Sequence, residues 1–139
     1  MLGIDPGDVR TGVAVSDPGC LLASPVSVLT ERNYDALVQK TAALAVQYDV
    51  GAIVVGYPKN MNGTKGERAQ KSERLAADLG RVTGLRILLW DERCTTVSAG
   101  VYMNATDTRG SRRKSTIDAA AAAIILQDYL DYRRNTGKE

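Results

Sequence analysis

The chain has 139 residues, 44% of them hydrophobic, and a formal net charge of +2, which is enough for one domain of ordinary core size. The net charge is too small to argue for a nucleic-acid partner by itself. No histidine occurs, which excludes Ser–His, Cys–His and other His-base mechanisms and leaves chemistry to carboxylates, lysine, tyrosine or a metal.

The opening, Leu2–Asp17, reads LGIDPGDVRTGVAVSD. Two strand-like runs, Leu2–Ile4 and Thr11–Ser16, flank Asp-Pro-Gly, and Pro6–Gly7 predicts a tight turn because proline pre-sets φ and glycine tolerates positive φ. Asp5 ends the first apolar run, where a carboxylate is partly desolvated and costly unless paired or metal-bound. Leu21–Leu29 is a third strand candidate, placed at a sheet edge by Pro25, which cannot donate to a ladder. From Asn33 to Tyr48 the apolar residues at 34, 37, 38, 44, 45 and 48 predict a helix with one buried face.

Ala52–Tyr57 (AIVVGY) is continuously apolar, as a strand buried on both faces would be. The turn formers of Pro58–Gly63 follow, and Thr64 with Glu67 predicts a capping box opening a helix whose apolar face is Leu75, Ala76, Leu79 and Val82. Leu85–Trp90 is a further strand that stops at Asp91-Glu92-Arg93. Thr95–Met103 reads as a short helix weakened by Gly100. Asn104–Lys114 is polar, concentrates Arg109, Arg112, Arg113 and Lys114, and reads as a mobile basic loop. A last helix is expected from about Thr116 to Arg134, with Ile117, Ala121, Ile124 and Asp128 on one stripe.

Met1–Asp5 has no basic n-region and no long apolar stretch follows it, so no signal peptide is expected. The longest apolar run, Ala119–Leu126, is far short of a membrane span. Cys20 and Cys94 form no Cys-x-x-Cys group, so zinc is not expected, and they read as free thiols in a reducing cytoplasm.

Sequential strands usually neighbour one another, which makes the first three a meander; right-handed crossovers lay the later two parallel to the first. The expected fold is therefore α/β, a single domain over residues 1–139 with a mixed five-stranded sheet of order 3-2-1-4-5 and helices on both faces. In such sheets the ligand crevice opens at the carboxyl ends of the strands, at the switch in winding, here between the first and fourth strands. Asp5, the loop from Pro58 to Thr64, and Asp91-Glu92 converge on that rim.

Acids gathered from strand ends suit hard cations such as Mg²⁺ or Mn²⁺, which take oxygen ligands. Two such ions roughly 4 Å apart activate water and stabilise a leaving oxygen in phosphodiester cleavage. Asp5 and Glu92 supply two carboxylates, and Asp118, in the last helix, the third. Each also has an ordinary structural reading. Asp5 fits an Asx turn, Glu92 favours a helix N-terminus, and Ser115-x-x-Asp118 fits a capping box. Asp91 falls on the opposite side from Glu92 if the strand persists.

Asn60, Asn62, Gly63 and Thr64 offer donors for a phosphate near a helix start, or an ordinary turn. Arg112, Arg113 and Lys114, with Arg109, would neutralise phosphates, although such runs are commonly just solvated. Arg10 and Arg93 are further candidates for contact with a nucleic-acid backbone. With few aromatics near the basic residues, recognition is expected through shape and phosphates rather than base stacking.

The segments GIDPGDVRTGVAVSD, VGYPKNMNGT, LWDERCTTVSA and KSTIDAAAAAIIL resemble, in order, the signature segments of the YqgF family, also called RuvX, and the likeness covers nearly the whole chain. The resemblance implies a ribonuclease-H-like fold and a bacterial cytoplasmic nuclease that processes the 5′ end of precursor 16S ribosomal RNA, with possible ribosomal particles as partners. Resolution of branched, four-way DNA is the alternative function, and would call for a homodimer. The resemblance carries the family's acidic, divalent-metal positions onto Asp5, Glu92 and Asp118. Pro6, Cys94 and Ser98 depart from the family's usual residues without removing a ligand.

Two other classes compete. The segment DPGDVRTGVAV also resembles the first phosphate loop of actin- and sugar-kinase-like ATPases. Those bind ATP between two such domains, whereas this chain supplies one, and Val13-Ala14 stands where a Walker loop has Lys-Ser/Thr. The other is a catalytically silent RNA-binding assembly factor, against which the retention of all three acids argues.

Overall fold

The structure is a computed structural model that describes residues 1–7, 9–58, 66–91 and 110–136, and of residues 110–118 the backbone alone. Among these residues the elements run in the order β1 (Leu2–Asp5), β2 (Arg10–Ser16), β3 (Ala23–Thr30), α1 (Tyr34–Gln47), β4 (Ala52–Tyr57), α2 (Glu67–Thr83), β5 (Arg86–Asp91) and α3 (Gly110–Thr136). The sheet order is β3-β2-β1-β4-β5. β1 pairs antiparallel with β2 and parallel with β4, and β4 pairs parallel with β5. This is the expected mixed sheet, with the winding switch between β1 and β4.

Strand alternation sorts the core into two layers. Leu2, Ile4, Val13, Ile53 and Val55 pack with Leu37, Val38, Leu75 and Leu79 of α1 and α2. Ala14, Val54, Leu88 and Trp90 pack with Ala122, Ala123, Ile125, Leu126, Tyr129 and Leu130 of α3. Every residue of β4 is buried, the consequence of being covered on both faces. Pro25 does lie on an edge strand, beside a register shift: Val13 pairs with Ser27 but Ala14 with Pro25, so Val26 is the extra residue of a bulge.

Asn33 caps α1, its side chain accepting from the Ala36 N–H at 2.9 Å. Gly84, at φ 69°, ends α2 in the left-handed conformation that glycine adopts without strain. Under α3, a Cβ on Gly3 would lie 2.7 Å from the Leu126 Cβ and 3.2 Å from the Ala122 carbonyl oxygen. That glycine lets the helix backbone approach the central strand.

Several expectations need correction. α2 begins at Glu67 with Gly66 as its N-cap and no side-chain cap hydrogen bond from that residue; Thr64 of the expected capping box lies outside the described residues. Val82 is 38% exposed and not on the buried face. Residues 110–114 are the first turns of α3, not loop; arginine and lysine are good helix formers once a helix can start ahead of them. The buried stripe of α3 runs through Ala119, Ala122, Ala123, Leu126, Tyr129 and Leu130, whereas Ala121 and Asp128 of the expected stripe are only part-buried. Cys20 is a free thiol. Cys94 and the helix expected over Thr95–Met103 lie outside the described residues.

Candidate active site

Asp5 is the last residue of β1, part-buried, paired with Gly12 of β2. The chain turns sharply after it. A Cβ on Gly7 would lie 2.1 Å from the Arg10 carbonyl oxygen, so the turn closes only with glycine there. The Gly7 N–H donates to the Thr11 hydroxyl at 3.5 Å, and Thr11 is fully buried. From α2, the Lys71 ammonium donates to the Gly7 carbonyl at 3.0 Å and Arg68 to the Pro6 carbonyl at 3.5 Å.

The register fixes which side of the sheet each rim residue takes. Asp5 shares its face with Gly3, Gly12 and Ala14, the face covered by α3. Arg10, first residue of β2 and part-buried, follows the same alternation and joins Asp5 on that face. Asp91 pairs with Tyr57 at the carboxyl end of β4 and alternates with Trp90, so it falls on the opposite face. With β4 between them, the backbones of Asp5 and Asp91 stand roughly 10 Å apart, two strand spacings.

α3 brings the third element to this rim. Ala122 and Leu126 sit over Gly3, while Arg133 near the far end approaches Met1, its Nη1 3.9 Å from the Met1 sulfur. α3 thus runs antiparallel to β1, and its earlier turns head toward Asp5. The backbone of Asp118 lies one turn before Ala122, about 6 Å along the axis, and Asp5 lies a similar distance beyond Gly3 along β1. Asp118 is also eight residues into α3, so the capping-box account of it does not apply.

Glu92, Arg93, Asn60, Asn62 and Arg109 lie outside the described residues. For Arg112, Arg113 and Lys114 the described part is the backbone of the first turns of α3. Among the described residues no three acids, histidines or cysteines stand together as a metal site; of the expected triad, that search covers the Asp5 carboxylate alone. The donor chemistry fits a hard cation nonetheless: Asp5 is an oxygen donor on a half-buried strand end, the chain has no histidine, and among the described residues no thiol accompanies Asp5 at the rim.

Sequence reasoning missed Arg68 and Lys71. Their spacing of three on α2 puts both on one side of the helix, and that spacing was the available signal. Trp90 packs edge-on against Tyr129 at 5.8 Å and tilted against Tyr132 at 5.3 Å, a cluster between β5 and α3.

The sheet order, mixed pairing and helix placement define a ribonuclease-H-like α/β domain. Two solved structures share that fold. Thermus thermophilus RuvC in complex with a Holliday junction substrate superposes with a TM-score of 0.59 at 16% identity, covering 98% of this chain and 97% of that one. Fowlpox virus resolvase with Holliday junction DNA gives 0.51 at 9% identity, covering 96% of each. A family model described as "RuvX: Holliday junction resolvase" matches residues 1–132, and the chain belongs to that family. Relatives named "Putative pre-16S rRNA nuclease" include one from Agathobacter rectalis, 43% identical and covering 98% of this chain and 97% of its own. Another, from Geobacillus kaustophilus, is 46% identical and covers 96% of this chain and 98% of its own.

Proposed function

We propose that this chain is a divalent-metal-dependent nuclease that hydrolyses phosphodiester bonds of structured RNA and trims the 5′ end of precursor 16S ribosomal RNA in the cytoplasm. The observation that supports this reading is the meeting of Asp5 with the path of α3 at the carboxyl rim, in a chain whose relatives carry the nuclease name. No helix among the described residues is long and apolar enough to cross a membrane.

In this reading Asp5, Glu92 and Asp118 hold Mg²⁺ or Mn²⁺. When bound, such an ion supplies the water activation and charge neutralisation that phosphodiester hydrolysis needs. The protein's own part is positional. β1 and its glycine turn fix Asp5, and α3 carries Asp118 toward it. Arg10 on the same face, with Arg93, Arg109, Arg112, Arg113 and Lys114, takes the phosphate backbone, and Asn60 and Asn62 seat a phosphate ahead of α2.

The test is a cleavage panel of precursor 16S RNA beside a four-way DNA junction, with Mg²⁺ or Mn²⁺, for wild type and Asp5→Asn. The expected result is RNA cleavage at the 5′ boundary, slowed by Asp5→Asn at least about a hundredfold, with the circular dichroism spectrum and Tm retained. Equal rates for the two proteins would remove Asp5 from the site. Junction cleavage without RNA cleavage, together with a dimeric mass by light scattering, would move the assignment to four-way DNA, which needs two symmetric sites.

A further inference from the structure

Two cations of α2, Arg68 and Lys71, are attached to the main chain of the turn that follows Asp5. Cations in the first turns of a helix run against its dipole, so their placement there calls for compensation nearby. The turn provides it: the Gly7 carbonyl accepts from Lys71 at 3.0 Å and the Pro6 carbonyl from Arg68 at 3.5 Å. The turn cannot be secured by the usual ladder. Pro6 has no N–H to donate, and among the described residues the Gly7 N–H makes a long, 3.5 Å bond to the Thr11 hydroxyl. A hydrogen bond from a charged donor is the strongest polar contact the turn makes among the described residues.

We propose that Lys71, assisted by Arg68, is a positioning residue that locks the Pro6–Gly7 turn from α2 and so fixes the Asp5 carboxylate at the rim. The lock also ties the turn after Asp5 to α2 through two side chains. The functional weight of the proposal rests on Asp5 being a metal-binding acid, while the lock itself is open to a separate measurement.

Lys71→Met keeps most of the aliphatic stem and removes the donor, and Lys71→Arg restores one. Amide hydrogen exchange by NMR in the full chain reads the lock directly at Gly7 and Gly12, with Val54 and Val55 of β4 as internal reference. Lys71→Met is expected to speed exchange at Gly7 and Gly12 about tenfold, the worth of one hydrogen bond from a charged donor, and to leave Val54 and Val55 unchanged. Lys71→Arg is expected to return the turn to its wild-type rate. The Mn²⁺ dissociation constant, from titration calorimetry, is expected to rise about tenfold in Lys71→Met and to recover in Lys71→Arg. If Lys71→Met does not fold, Arg68→Met, at an exposed residue, carries the same measurement with a smaller expected change.

Unchanged exchange at the turn overturns the proposal, as does equal acceleration at Val54 and Val55, which would mark general destabilisation. A raised KM for RNA with turn exchange unchanged also overturns it, since Lys71 would then contact substrate instead. Asp5→Asn is measured in parallel. Wild-type Mn²⁺ affinity in that variant would reject Asp5 as a ligand, and the exchange comparison would still decide whether Lys71 holds the turn.

Discussion

On one face of the sheet, branched side chains of three strands interdigitate with Leu37, Val38, Leu75 and Leu79 of two helices; on the other, Gly3, Ala14 and Val54 meet the alanines and Leu126 of a single helix. The first arrangement buries large apolar groups and derives stability from their area. The second brings helix backbone near strand backbone, with Ala122 and Leu126 at van der Waals distance over Gly3. A close-packed pair of backbones transmits displacement because no flexible side chain lies between to absorb it. It is this second face that carries both Asp5 and α3. The difference points to a division of labour: the apolar packing of the α1/α2 layer holds the fold, while the rim takes its geometry from the α3 layer and from the Lys71 and Arg68 contacts to the turn.

Substitutions on each face test that division. Leu75→Ala, at a fully buried residue of the α1/α2 layer, is expected to cost about 3 kcal/mol by urea denaturation. Under conditions where it stays folded, its turnover should match wild type. Gly3→Ala adds a single methyl group on the other face, where the Leu126 Cβ would stand 2.7 Å away. It is expected to cost about 2 kcal/mol by overpacking. Because α3 must back away from β1, its turnover on precursor RNA should fall about tenfold, more than its stability loss explains. Wild-type turnover in Gly3→Ala, or a tenfold loss in Leu75→Ala, would break the comparison. Asn33→Ala removes the α1 cap and should cost about 1 kcal/mol without altering turnover, a lesser check on the same face as Leu75.

The strand order was legible because each strand carried a distinct signal. Pro25 marked an edge, the run Ala52–Tyr57 a strand buried twice over, and the intervening helices imposed parallel crossovers. The phase of α3 was not legible, since residues 119–126 are apolar all round and periodicity then carries no direction. What fixes the phase is Gly3, which in the sequence reads as one more strand glycine. The start of α3 was missed for a related reason: Gly110 and the polar residues around it read as loop, whereas the basic residues that follow sit well in a helix. Of the rim, Asp5 and its turn could be read directly from Asp-Pro-Gly. Arg68 and Lys71 could not, because charges on a helix surface ordinarily face water, and only the turn folded against them gives these two a partner.

The smallest expected effect lies where the α1/α2 layer carries a polar cluster drawn from both helices. The Tyr34 hydroxyl of α1 donates to Asp78 of α2, Arg81 approaches the same carboxylate at 3.3 Å, and the Arg74 guanidinium lies 4.0 Å over the Tyr34 ring. The hydrogen bond from Tyr34 holds the Asp78 carboxyl below its ordinary 3.8. Desolvation, followed by that same hydrogen bond, pushes the Tyr34 hydroxyl above its ordinary 10.0. A depressed acid contributes stability above its unfolded pKa and loses it as pH falls through the folded one. A raised group contributes below its unfolded pKa and loses it as pH rises. The Tyr34–Asp78 bond is therefore fully effective between about pH 4 and pH 10 and fades at both ends. The difference in Tm between wild type and Tyr34→Phe should be small, because the cluster is reached by solvent. It should be flat across that interval, shrinking below pH 4 and above pH 10. No difference at any pH would mean that the two helices are joined by their apolar contacts alone, and that the polar cluster adds nothing to the face that holds the fold.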